Sequence, residues 1–152
     1  MCDYCGCRSR PLVARLAADH ERFTRLADQA RTAFAAGDPA AARAVLEELA
    51  ARLRAHDALE EGGIYPELIA EGLATDALAA EHAAIDDAVA AALADSGALA
   101  GTGGGADLAA ALDRLAAHIV REEYDLFPAA HQMLSDAAWD RIDRHRTDQG
   151  SR

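Results

Sequence analysis

The stretch Leu46-Glu47-Glu48-Leu49-Ala50-Ala51-Arg52-Leu53-Arg54-Ala55-His56-Asp57-Ala58-Leu59-Glu60 decides the fold. Leu46, Leu49 and Leu53 fall at helical three-and-four spacing, and His56 and Glu60 continue the same series. Residues so spaced share one face of a helix, and a bundle buries that face. The pattern recurs in three other segments. The first carries Val13, Leu16, Phe23, Ala27, Ala30 and Phe34 with His20 in series, and the third carries Leu78, Ile85 and Val89 with His82. The fourth carries Leu108, Leu112, Leu115 and Leu126 with His118 and Glu122. Four imidazoles and two carboxylates among leucines are costly to bury unless something pairs with them, and a metal centre is the simplest partner.

Composition supports the helical reading. Alanine, leucine, arginine and glutamate are strong helix formers, and no stretch alternates with the two-residue period of a strand. The expected class is all-α. A net charge of −11 argues against nucleic acid, which needs a basic face. The longest apolar run, Ala88 to Ala94, is too short to span a bilayer. Residues 1–7 lack the charged-then-apolar design of a signal peptide, so the expected location is cytoplasmic, with thiols mostly reduced.

Three parts are expected: a cysteine-containing tail at 1–9, a bundle over 10–146 and a disordered tail at 147–152. Pro11 suits a helix first turn, Gly37 a stop, and Asp38-Pro39 a cap followed by a first-turn proline. Gly62-Gly63 permits a break, Thr75 a cap for the third long helix, and Ser96 to Ala106 reads as a glycine-rich loop. Pro128 interrupts the fourth long helix, and a last helix capped by Ser135 uses Trp139 as its core anchor. Short connections predict an antiparallel up-down four-helix bundle.

That topology brings the histidines level. His20 lies 17 residues before Gly37 and His56 lies 19 after it; His82 lies 14 before Ser96 and His118 lies 12 after Ala106. At about 1.5 Å per residue each pair sits at nearly one height. Four residues turn a helix by about 400°, so Glu60 lies beside His56 and Glu122 beside His118, whereas Glu61 and Glu123 point to the flank. Two carboxylates among four histidines suit a dinuclear site with each glutamate reaching both ions. Nitrogen and oxygen donors without thiolate point to two iron ions first, with zinc or manganese as alternatives.

The ordered set resembles the hemerythrin-like, or HHE cation-binding, domains. The matching pieces are Asp19-His20, His56-x-x-x-Glu60 followed by Ile64-Tyr65-Pro66, Glu81-His82, and His118-x-x-x-Glu122-Glu123 followed by Leu126-Phe127-Pro128. The resemblance implies a non-haem di-iron centre that binds or reduces O2, H2O2 or NO in oxidative or nitrosative stress defence. Its alternative is a metal-storage or iron- and oxygen-sensing module without turnover. In the family's oxygen carriers a further histidine stands where this chain has Asp86, and the last carboxylate stands where this chain has Glu123. Asp86 therefore either coordinates or leaves a position open, and Glu123 is the alternative to Glu122. An open position favours reaction with peroxide or nitric oxide over reversible oxygen carriage.

Cys2, Cys5 and Cys7 form a separate thiolate candidate ahead of the bundle, although a zinc site usually wants a fourth ligand. His131 and His145 read as solvated, and Tyr65 and Tyr124 as packing residues, with a hydrogen-bonding or redox role open to a tyrosine beside iron.

Overall fold

A computed structural model describes residues 6–95 and 105–150, and every long element among them is helical. After a 3-10 turn at Cys7–Ser9 come α1 (Pro11–Ala35), α2 (Pro39–Leu59), α3 (Tyr65–Ala70) and α4 (Asp76–Ala94). Then follow α5 (Gly105–Arg121), α6 (Phe127–Met133) and α7 (Asp136–Gly150). α1 packs on α2 and α5, and α4 packs on the same two, which closes a ring of four long helices. Helix α7 lies against α1 and the end of α2, and reaches into the segment read from sequence as a tail. No helix among the described residues is long and apolar enough to cross a membrane.

Several boundaries follow from local chemistry. Pro11 and Pro39 sit in the first turns of α1 and α2, where a missing N–H costs nothing. The Asp38 carboxylate accepts the Ala41 N–H at 3.0 Å, and Gly37 takes a left-handed φ of 66° to turn the chain. Replacing Asp38 with alanine is expected to lower stability by about 1 kcal/mol, read from thermal melting; an unchanged midpoint would mean that the cap is not used. Ser135 caps α7 through the Ala138 N–H at 3.3 Å, and Trp139 is buried. Thr75 departs from expectation. Its carbonyl accepts the Leu78 and Ala79 N–H groups, but its side chain makes no cap hydrogen bond and is buried instead.

The glycine pair does not break the helix. Between α2 and α3 the chain continues as a π-helical turn, Glu60–Ile64, in which the Tyr65 N–H reaches the Glu60 carbonyl. The same occurs between α5 and α6, where Glu122–Leu126 forms a π-helical turn and the Phe127 N–H reaches the Glu122 carbonyl. One residue after each turn comes a proline, Pro66 or Pro128, which has no N–H for a normal i−4 bond. Widening by one residue keeps the helix going past it, and such turns gather at functional sites. Here each begins at a buried glutamate.

Two apolar clusters fill the interior. One holds Phe23, Leu26, Leu46, Leu49, Leu53, Ile85, Val89, Leu112 and Leu115; the other holds Leu12, Leu16, Leu59, Ile64, Leu68, Phe127, Trp139 and Ile142. Along α1, His20 falls between Leu16 of one cluster and Phe23 of the other. Along α2, His56 falls between Leu53 and Leu59. A polar layer thus crosses the bundle between two greasy ones.

His131 and His145 are half-buried rather than solvated, each with a ring nitrogen shut off from water. The reason for His145 is the docking of α7, which sets its ring against Gly62; a Cβ there would stand 2.4 Å from Nε2.

Candidate metal centre

The polar layer contains His20, His56, Glu60, His82, His118 and Glu122, all at most 5% exposed. Their donor atoms form two overlapping groups, in each of which one atom from every member lies within 4.8 Å of the rest. One group is His20, His56, Glu60 and Glu122; the other is Glu60, His82, His118 and Glu122. The glutamates belong to both. Glu122 Oε2 lies 3.1 Å from His20 Nε2, and its Oε1 lies 2.9 Å from His118 Nε2 and 3.5 Å from His82 Nε2. Glu60 Oε1 faces His56 Nε2 at 3.6 Å, and its Oε2 faces His82 Nε2 at 3.4 Å. Each carboxylate thus turns one oxygen to each group. Neither group includes Asp86, which is half-buried on α4, or Glu123.

All four imidazoles present Nε2 inward and Nδ1 outward to a carboxylate. Glu123 meets His20 Nδ1 at 3.1 Å, Glu61 meets His82 Nδ1 at 3.0 Å, and Glu81 meets His118 Nδ1 at 2.8 Å. Asp19 stands 3.8 Å from His56 Nδ1, too far for a hydrogen bond. Arg8 extends one relay, bonding Glu123 at 2.9 Å, and Arg121 extends another through Glu81. Carboxylates behind histidines fix ring orientation and tautomer, a device typical of metal sites.

The inner atoms do not satisfy one another. Glu60 Oε1, Glu122 Oε2 and His118 Nε2 are shut off from water and make no aligned hydrogen bond, despite neighbours at ion-pair distance. His20 Nε2 and His56 Nε2 face each other at 3.2 Å. Two donors about 2.1 Å from one cation at right angles stand about 3 Å apart, so the spacings suit shared ions better than mutual hydrogen bonds. Four imidazole nitrogens with four carboxylate oxygens and no thiolate form a donor set suited to iron, manganese or zinc.

Burial and neighbouring charges push the groups of this layer in opposite directions. Burial opposes charging His20 and His82, but the Glu122 and Glu123 carboxylates beside the first push it up to about 9, and those of Glu122 and Glu60 beside the second push it up to about 11. Burial, with the neighbouring His20 charge, lowers His56. Burial and the Glu122 charge drive Glu60 well above the usual carboxylate range, whereas Glu122, though buried, is held well below it by the His118, His20 and His82 imidazoles at ion-pair distance. Metal ligands must shed their protons. Below pH 9 a cation therefore displaces protons from His20 and His82, and affinity is expected to rise with pH by roughly ten- to a hundredfold per unit between pH 6 and 8. Competition with a chelator at three pH values checks this; a flat profile would rule out those histidines as the proton-bearing ligands.

Tyr65 has a larger part than packing. Its hydroxyl stands 3.4 Å from Glu60 Oε2, 3.3 Å from Glu122 Oε1 and 3.4 Å from His82 Nε2. Burial and the charges of both glutamates hold the phenol far above its usual range, so it stays a donor. Its ring lies parallel to His82 at 5.8 Å, as that of Phe127 lies parallel to His20 at 5.6 Å. Beside the layer is a small cavity walled by the four imidazoles, by Phe23, Leu53, Ile85, Leu115 and Ile119, and by one carboxylate, Asp57. Burial raises Asp57 to about 7. Tyr124 is half-exposed and lines a surface groove beside Glu123.

The carboxylates behind the histidines escaped the reading of individual helices, yet the sequence held a signal for them. Adding 62 to the numbers of Asp19, His20, His56, Glu60, Glu61, Tyr65 and Pro66 gives Glu81, His82, His118, Glu122, Glu123, Phe127 and Pro128. The two halves of the chain thus carry the same ordered set of side-chain types at one offset. The acid preceding the histidine of one helix faces the histidine of the next helix within its half, and the acid following Glu60 or Glu122 crosses to the other half. Of the thiolate candidate, Cys7 is buried in the second apolar cluster, and Cys2 and Cys5 lie outside the described residues.

A helical chain with a buried histidine–carboxylate cluster offering two adjoining four-residue donor groups is a metal-binding bundle-type protein. Compared with known families, residues 12–130 match the hemerythrin HHE cation binding domain, and the chain belongs to that family. No curated protein and no solved structure matches it.

Proposed function

We propose that this protein holds a non-haem di-iron centre in an antiparallel four-helix bundle. His20 and His56 serve one ion, His82 and His118 the other, and Glu60 and Glu122 bridge both. Its task is the binding or reduction of O2, H2O2 or NO in defence against oxidative or nitrosative stress. The observation that carries the reading is the sharing of both glutamates between two donor groups.

Bound iron would supply one-electron chemistry and an open position for a small oxidant. The protein's own part is to bind, orient and dry the site. The outer carboxylates hold each Nε2 inward, the two apolar clusters exclude bulk water, and the Tyr65 hydroxyl offers a proton-bearing donor at the Glu60–Glu122–His82 edge. The cavity beside the layer is small and mostly apolar, which favours a ligand of a few atoms.

The test is metal content of protein from iron-replete cells, followed by absorption spectra before and after H2O2. About two irons per chain with catalytic loss of peroxide or NO would support the enzyme reading. Two irons without turnover would favour storage or sensing, and failure to hold iron would overturn the proposal.

A further inference from the structure

His131 is the half-buried histidine that the docking of α7 does not account for. It stands on α6, four residues after Phe127, and its Nδ1 is shut off from water with no hydrogen-bond partner among the described residues. Its other nitrogen, Nε2, faces the start of the described chain: a Cβ added to Gly6 would lie 3.7 Å from it. A polar atom shut off in this way is uncommon and calls for a reason, of which a bound ion is one.

The chain brings thiols to the same place. Cys7 is buried in the apolar cluster that also holds Phe127, Ala130 and Leu134, so the helix that carries His131 also covers Cys7. Gly6, with φ at 72°, turns the chain tightly, and the Ser9 N–H closes the turn on its carbonyl at 2.9 Å. Cys5 and Cys2 lie outside the described residues, but Cys5 is joined directly to Gly6, one peptide unit or about 3.8 Å away at Cα, and Cys2 stands three residues before Cys5. Chain length alone therefore tethers Cys5 near His131. A Cys-x-x-Cys-x-Cys run is one ligand short of a closed zinc site, and the imidazole beside it supplies the fourth donor.

We propose that Cys2, Cys5, Cys7 and His131 form a separate metal site with three thiolates and one imidazole, and that it takes zinc. Soft thiolates in a tetrahedral set select zinc, whereas the oxygen-rich donors of the bundle centre suit harder cations. The site shares no donor with the histidine–glutamate layer, so it stands whether or not that layer holds iron. Its place in the fold gives it a task. Arg8, the residue after Cys7, bonds Glu123 at 2.9 Å, and Glu123 meets His20 Nδ1 at 3.1 Å. A zinc ion that pins the chain to α6 also holds Arg8 at the outer end of that relay.

The experiment uses the full chain, purified under reductant and supplied with Zn(II), or with Co(II) as a coloured substitute. A mercurial that blocks thiols should release about one zinc per chain. The cobalt form should show intense sulfur-to-metal charge-transfer bands, which the nitrogen and oxygen donors of the bundle centre cannot give, so the readout does not depend on what that centre holds. Cys2→Ser and Cys5→Ser should each abolish both signals. His131→Ala should weaken zinc binding by more than about a hundredfold, beyond the cost of losing a group that merely supports a ligand, and His131→Cys should restore it. Helix content controls for folding, and His131→Gln takes the place of His131→Ala if the latter does not fold. A wild type with no mercurial-released zinc and no charge-transfer band would overturn the proposal. So would a folded His131→Ala or His131→Gln that binds zinc as tightly as wild type, which would leave the cysteines without their fourth ligand.

Discussion

Replacing Glu122 with alanine is expected to abolish metal binding at both positions, not to halve it. Glu122 Oε2 faces His20 while Oε1 faces His118 and His82, so one truncation removes a donor from each group. The metal-free chain should suffer too. Glu122 is the ionised partner whose carboxylate raises His20 and His82, and without it these buried imidazoles lose their main counter-charge. Breaking a buried ion pair from one side costs about 3–5 kcal/mol. Glu60→Ala makes the informative contrast. Burial and Glu122 hold Glu60 far toward its neutral form, so its loss should remove both metals while costing the metal-free chain much less. Metal content by mass spectrometry, with melting of the metal-free variants, reads both effects. One ion retained by Glu122→Ala would sink the bridging assignment, and equal destabilisation by the two variants would sink the proposed division of charge.

What the sequence reveals and what it hides divide along a physical line. The helices and the four inward histidines follow from spacing within single segments, because periodicity is a property of one helix and burial reports it. Glu61, Glu81 and Glu123 find their histidines on other helices, and the pairing depends on how the helices sit together. The same limit explains the choice between Glu122 and Glu123: an i+4 and an i+5 carboxylate differ by about 100° around the helix, and the π-helical turn alters that angle where it matters. Gly62-Gly63 read as a break because glycine is a poor helix former. The contact with His145 shows their other use, which is to let α7 approach the turn that carries Glu60.

Phe127→Ala should rank among the most destabilising single changes in this chain, while Tyr65→Phe, at the matching position of the other half, should scarcely move the melting point. Phe127 is 1% exposed, belongs to the second apolar cluster and lies flat against His20 with an interplanar angle of 7°. Truncation opens a cavity that surrounding helices cannot fill, at about 3–5 kcal/mol. It also frees the His20 ring to tilt, so metal retention at the His20–His56 position should fall even in the folded fraction. Tyr65→Phe keeps the ring stacked on His82 and removes only a hydroxyl whose contacts, at 3.3–3.4 Å, are long for O–H donors. The net loss is about 1 kcal/mol or less. Its effect belongs instead to chemistry, as a slower reaction of the iron-loaded protein with peroxide or NO at undiminished iron content. Chemical denaturation of both variants, set beside iron content and stopped-flow rates, separates the two roles. If Tyr65→Phe loses iron while Phe127→Ala keeps it, the aromatic positions act the other way round, with the phenol holding the site together and the phenyl ring serving only as filler.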